Sequence, residues 1–147
     1  MESVASYTRD YIDTCHSTVA MTVAAYENLG SAVQTSAGAD AAPVDFALAS
    51  FEPAFYNHMV LALDGYFGNR ARNKEGKDGS PLNEVRMLCA ALMHNNGRLE
   101  ADRSIKWRPE TTILGYQIGE EISLTTADFS RLSNAFFADL ESKYLRA

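Results

Sequence analysis

The sequence predicts a mainly α fold: a four-helix, bundle-like single domain with a small β-hairpin before the C-terminal helix. Three observations carry this. Apolar residues recur at helical spacing in four separate stretches. Two of the later stretches open with a clear N-cap, Ser80-Pro81 and Thr125. Between them, over 104–124, the period changes to alternation. At 147 residues the chain is long enough for one substantial core.

The first helix is expected over 3–34. Ile12, Val19, Tyr26 and Val33 repeat every seven residues, with Cys15, Thr22 and Leu29 offset by three, which makes an a/d-like stripe. No charge falls between Thr14 and Tyr26, so more than one face of this helix is expected to be covered. A helix of that length would run roughly 45 Å, long for a domain this size, and a second copy of the chain is expected to cover the excess. The small-residue stretch 35–43 (TSAGADAAP) reads as a linker. The second helix is expected over 51–72, with Ser50 as cap and Pro53 in its first turn. Its core residues would be Phe55, Met59, Ala62, Leu63, Tyr66 and Phe67.

The third helix is expected over 81–96. Ser80 caps it, Pro81 occupies N1, Leu82, Val85, Leu88, Cys89, Leu92 and Met93 form its stripe, and Asn95-Asn96-Gly97 ends it. Ile105 and Trp107 then alternate with charges, and 111–118 and 121–124 read as two short strands around Gly119-Glu120. The last helix is expected over 126–145, opened by Thr125 with Asp128 at N3 and striped by Phe129, Leu132, Phe136, Leu140 and Tyr144.

Composition narrows the function classes. The N-terminal MESVASYTRDY has neither a basic region nor an apolar run, so no signal peptide is expected. The longest uncharged stretch falls short of the roughly 20 apolar residues of a membrane span, so a cytoplasmic protein is expected, with no membrane partner. Cys15 and Cys89 are too few and too distant for a disulfide framework and read as reduced, buried thiols. Net charge is −6, unevenly spread: residues 70–108 hold nine of the thirteen basic residues and five acidic ones. Such asymmetry bears on partners.

Most distinctive polar residues lie between Tyr66 and Gly97. A P-loop needs a Gly-x4-Gly-Lys-Ser/Thr spacing, which Gly68 and Gly76-Lys77-Asp78 do not provide. No register of 71–85 supplies the alternating oxygen ligands of a calcium loop. The free N–H groups of residues 82 and 83 at the third helix's start can take a small anion, with Lys77 or Arg86 beside them. Against this, Ser80 and Asp78 can satisfy the same donors, and Asp78 would repel an anion; the structural turn is the favoured reading.

The stretch Glu75 to Arg86, EGKDGSPLNEVR, resembles the EGKDGNPLNEVR signature of a family of small bacterial proteins with no established activity. The segment 119–137 (GEEISLTTADFSRLSNAFF) is similar to that family's C-terminal part. The resemblance covers about half of the chain, with Ser80 in place of an expected Asn, and implies a shared fold without implying a chemistry.

For chemistry the candidates are few. A three-histidine metal site would need His16, His58 and His94 to meet across helices; Asp13 and His16 have ligand spacing but nothing joins them, and Glu52, His58 and Asp64 fall on different faces. No metal or cofactor is therefore expected. Arg86 and His94 resemble the Arg and His pair of HEPN-type helical ribonucleases. That pattern has four to six residues between them, and here there are seven, so the pair is splayed by about 80°. Arg86 is read instead as an ion-pair partner. No serine has a nucleophile-elbow context, and Cys89 lies in an apolar stripe, where a thiol is inert. Asp64, Glu75, Asp78 and Glu84 could include a general acid, although solvated surface carboxylates are the simpler reading. The basic segment alternates with acids and has few stacking aromatics, against nucleic acid.

The expected function is thus a non-enzymatic, homo-oligomeric binding or regulatory module, dimeric through the first helix. Ligand contacts, if any, fall to Arg70, Arg72, Lys77, Arg86 and His94. The alternative is a HEPN-like nuclease or other hydrolytic bundle using Arg70, Arg72, Arg86 and His94. Convergence of Arg and His in one open cleft favours the enzyme; a bare apolar face on the first helix favours the interaction module.

Overall fold

The computed structural model describes residues 3–147; the first two residues of the stretch MESVASYTRDY lie outside it. The described residues form five α-helices: α1 (Arg9–Ser36), α2 (Ala41–Gly65), the one-turn α3 (Arg72–Glu75), α4 (Pro81–His94) and α5 (Thr126–Tyr144). α4 is the central element, with Leu82, Val85, Met87, Leu88, Cys89 and Ala91 buried. α2 and α5 pack on either side of it, and α1 lies across α2 and α5.

Each helix begins where a side chain meets orphan backbone donors. The first starts at Arg9, because Thr8 accepts from the N–H of Tyr11 at 3.1 Å. Residues 4–7 stand outside the helix and spend their backbone groups elsewhere. Val4 N–H donates to Asn69 O, Tyr7 N–H to Tyr144 O, and Tyr7 O accepts from Arg146 N–H. Thr125 caps α5 with a capping box completed by Asp128. Ser80 caps α4 through a long 3.5 Å contact to Asn83 N–H. Ser80→Ala is accordingly expected to cost about 0.5–1 kcal/mol, and Asp78→Ala nothing measurable. Equal denaturation midpoints for Ser80→Ala and wild type would show that the contact does not cap.

The second helix differs from expectation at both ends. The small-residue stretch 35–43 is no linker: α1 runs to Ser36, a 3-10 turn covers Gly38–Asp40, and α2 begins at Ala41. Alanine favours helix, and Pro43 falls in the first turn, where a proline is tolerated. Pro53 therefore sits inside the helix. It leaves Ala49 O without its helical donor, and Ala49 is exposed to water. α2 ends at Gly65 instead of 72.

The small β-hairpin expected at 104–124 is not present: the described residues contain no strand, only isolated bridges such as Arg98 with Glu121. The reason is where the backbone groups go. The N–H groups of Ile113 and Leu114, which a strand ladder would need, donate to the Glu84 carboxylate at 2.8 and 2.9 Å. Thr112 Oγ1 bonds Pro109 O, and Trp107 Nε1 donates to Tyr116 O across the segment. The segment is an irregular wrap that buries Ile105, Tyr116, Ile122 and Leu124 against the bundle.

Two aromatic clusters fix the helix packing. Tyr7, Tyr11, Phe67, Phe136 and Phe137 meet near the chain termini. Tyr26, Phe51, Phe55, Tyr56 and Phe129 join α1, α2 and α5. Beyond Val19 on α1 and before Tyr56 on α2, no residue is fully buried. The far half of the α1–α2 hairpin is therefore an arm that meets the core only through half-buried Val23, Tyr26 and Phe55 and through Glu52, which accepts from Thr126 of α5.

Candidate functional site

The 75–86 motif is organised around a buried carboxylate. α3 delivers Glu75, which is fully buried, into the space beside α4. Arg70 Nε donates to Glu75 Oε1 at 2.9 Å. Arg86 adds Nη2 to Oε1 at 2.7 Å and Nε to Oε2 at 3.0 Å. Asn83 Nδ2 donates to Oε2 at 2.7 Å. Arg70 also holds Asp64 at 2.9 Å and the carbonyl of Phe67; its Nη2 is buried with no partner. Burial alone would raise the Glu75 carboxyl, but the Arg86 hydrogen bonds and the Arg70 and Arg86 charges outweigh it and hold it below the ordinary value.

The other motif residues support this cluster. Asn83 also donates to Gly76 O, and its Oδ1 accepts from Gly79 N–H, so one side chain closes the loop. Glu84 is buried with no cation hydrogen-bonded to it, receiving only the N–H groups of Ile113 and Leu114. Burial raises its carboxyl, and those two N–H bonds only partly offset the rise. Glu75 and Glu84 are therefore not the solvated surface carboxylates they resemble in sequence.

The N-terminus of α4 has no donors to spare. Leu82 N–H donates to Asp139 Oδ2 at 3.2 Å, Asn83 N–H to Ser80 Oγ, and Glu84 N–H to Ser80 O at 2.8 Å. The loop turns the chain, and the carboxylate that helps it is Asp139 of α5, with no part for Asp78.

Of the five residues singled out in sequence, Arg70 and Arg86 come together on Glu75. Arg72 and Lys77 come together elsewhere, lining a pocket of about 400 Å³ with Asn73, Gly76 and Ser104. His94 joins neither group. It lies exposed in the last turn of α4, about 12 Å along the helix from Arg86. His16 stacks on Phe137 at 4.4 Å, and His58 Nδ1 contacts Ala54 O. Among the described residues no three His, Cys, Asp or Glu side chains gather as metal ligands. Cys15 and Cys89 are free and buried, and burial raises both thiols. The residues missed by sequence reasoning are Asn83, Asp139 and Ser104. Asn83 alone had a local signal, standing at N3 where a capping box would place Glu or Gln.

The arm is the other unusual surface. Met21 is 71% exposed, Leu29 59%, Phe46 76% and Phe51 49%. From residue 10 to residue 69 the chain contains no Lys or Arg. No helix among the described residues is long and apolar enough to cross a membrane.

No family model matches the chain, and neither a curated protein nor a solved structure is significantly similar to it.

Proposed function

We propose that this chain is a non-enzymatic, cytoplasmic binding or regulatory module that dimerises through the first helix. The observation that carries the reading is the arm. The parts of α1 and α2 beyond Val19 and before Tyr56 contain no fully buried residue and expose Met21, Leu29, Phe46 and Phe51. Helices in proteins are stabilised mainly by packing an apolar face, and exposed apolar residues gathered in one region mark an interaction site. The partner is a second copy. After Asp13, Glu27 is the one charged residue on α1, so two α1 surfaces can meet while desolvating little charge. Two reduced, buried thiols fit the cytoplasm. The resemblance of 75–86 to the EGKDGNPLNEVR proteins is read as a shared fold, since the motif's charged and amide side chains hold the chain together.

The hydrolytic alternative has less support. Arg70 and Arg86 are both bonded to the buried Glu75 carboxylate, and His94 stands apart from them.

Light scattering at micromolar protein tests the proposal. Wild type is expected at twice the 16.1 kDa chain mass. Met21→Glu with Leu29→Glu is expected at the monomer mass with its helical circular dichroism unchanged. A monomeric wild type rejects the dimer.

A further inference from the structure

We propose that the pocket between α3 and the 102–106 loop binds a small phosphate-bearing ligand through Arg72 and Lys77. This is independent of self-association. The pocket, about 400 Å³, is lined by Arg72, Asn73, Gly76, Lys77 and Ser104. That volume lies at the lower end of small-molecule sites, which span roughly 300–1,000 Å³.

Charge is the first argument. The two walls, 72–78 and 102–108, hold six cations, Arg72, Lys74, Lys77, Arg103, Lys106 and Arg108, against three carboxylates, Glu75, Asp78 and Asp102. Asp78 is exposed beside Gly76; the other two are already engaged. Glu75 is buried under Arg70, Arg86 and Asn83. Asp102 accepts the N–H and hydroxyl of Ser104 at 2.8 and 2.7 Å. These two bonds, then the charges of Arg72 and Arg86, hold its carboxyl below the ordinary range. Six of the chain's other seven cations are ion-paired: Arg9, Arg70, Arg86, Arg98, Arg131 and Lys143. None of the six wall cations forms an ion pair among the described residues. Two of these unpaired cations, Arg72 and Lys77, line the hollow itself, where an anion would relieve their mutual repulsion; Lys74 is turned to the carbonyl of Ala5.

Rigidity is the second argument. Lys106 N–H donates to Lys77 O at 2.8 Å, which ties the two walls together. Asn83 holds Gly76 O at 3.1 Å, and Asp102 holds Ser104. The backbone that carries the cations is set before the ligand arrives, which lowers the ordering cost of binding.

The ligand's chemistry follows from the donors. The Arg72 guanidinium offers a fork that matches two oxygens of a tetrahedral oxyanion, Lys77 adds a mobile point charge, and the Asn73 amide adds a neutral donor. No aromatic residue lines the pocket, so it has no stacking platform for single-stranded nucleic acid.

The test is thermal melting and calorimetry of the intact chain with inorganic phosphate, and separately with a nucleoside monophosphate, at ionic strength held constant with sodium chloride. Wild type is expected to show a saturable rise in Tm. Arg72→Ala with Lys77→Ala is expected to weaken binding roughly tenfold or more. Arg146→Ala, which removes an unpaired cation outside the walls, is expected to keep the response. Both pocket side chains are exposed, so the double variant folds. A larger rise with the monophosphate assigns the site to the phosphoryl group of a metabolite; an equal rise assigns it to free phosphate. No saturable rise with either probe, or an undiminished rise in the double variant, overturns the proposal.

Discussion

Glu75→Gln is expected to lower the unfolding free energy by about 3 kcal/mol, the low end of the cost of breaking a buried ion pair, because Asp64 still pairs with Arg70. Arg70, whose guanidinium is fully buried, would keep undisturbed only Asp64 and the Phe67 carbonyl, and one of its nitrogens already lacks a partner. The Gln amide would offer one acceptor oxygen where Glu75 offers two, so Asn83, which holds Gly76 and Gly79 in place, would compete for it with Arg70 and Arg86. Arg86→Ala should cost less. Its side chain is 22% exposed, and Glu75 keeps Arg70 and Asn83 when it goes. The ordering Glu75→Gln worse than Arg86→Ala is read from chemical-denaturation midpoints; the reverse order would mean that Glu75 is not the hub.

The same variant carries a pH signature. The folded carboxyl lies below its reference value of 4.5. Its contribution is therefore fully present above the unfolded value and is lost as pH falls through the folded one. The stability gap between wild type and Glu75→Gln should be constant from pH 6 to 7 and should close in acid. A gap that widens on acidification would show that the carboxylate is held above its ordinary value.

What the sequence made legible was local. Thr125 with Asp128, and Ser80 with Pro81, mark the starts of α5 and α4 because capping is decided within one turn. Phe129, Leu132, Phe136, Leu140 and Tyr144 form a buried stripe because helical spacing is a local property. The misreadings involve distant partners. Residues 104–124 look β-rich, yet Glu84, some thirty positions away, takes the N–H groups that would have built a ladder. Glu75 and Glu84 look solvated because their neighbours in sequence are polar; only the fold supplies Arg70, Arg86 and the 113–114 backbone. Leu29 reads as seam, but it falls on the arm's outer flank, 59% exposed.

The site was half legible for the same reason. The charge excess of 70–108 is visible as composition. Its division into a paired group (Arg70, Arg86) and an unpaired group around the pocket (Arg72, Lys77) is not. That division depends on the return of the 102–108 loop against residue 77, a contact between segments some thirty positions apart with no helical or alternating period to announce it.

Gly79→Ala is expected to destabilise the protein by about 3 kcal/mol or more, combining left-handed backbone strain of about 1–3 kcal/mol with a steric clash. Gly79 has φ +83, which L side chains rarely adopt, and a Cβ there would lie 2.6 Å from the carbonyl oxygen of Lys106. That neighbour is backbone, pinned through its own N–H to Lys77 O at 2.8 Å, so it cannot swing aside as a side chain would. Gly76 shares the φ of +83, but a Cβ there meets only the Asp78 side chain at 3.6 Å; Gly76→Ala should cost the strain alone. Gly30 lies in α1 with open space around it, and Gly30→Ala should raise stability by about 0.5–1 kcal/mol through helix propensity. Denaturation midpoints in the order Gly30→Ala, wild type, Gly76→Ala, Gly79→Ala are the expected result. If Gly79→Ala unfolds no more easily than Gly76→Ala, the 102–106 loop does not pack on the motif, and the rigid wall of the phosphate pocket goes with it.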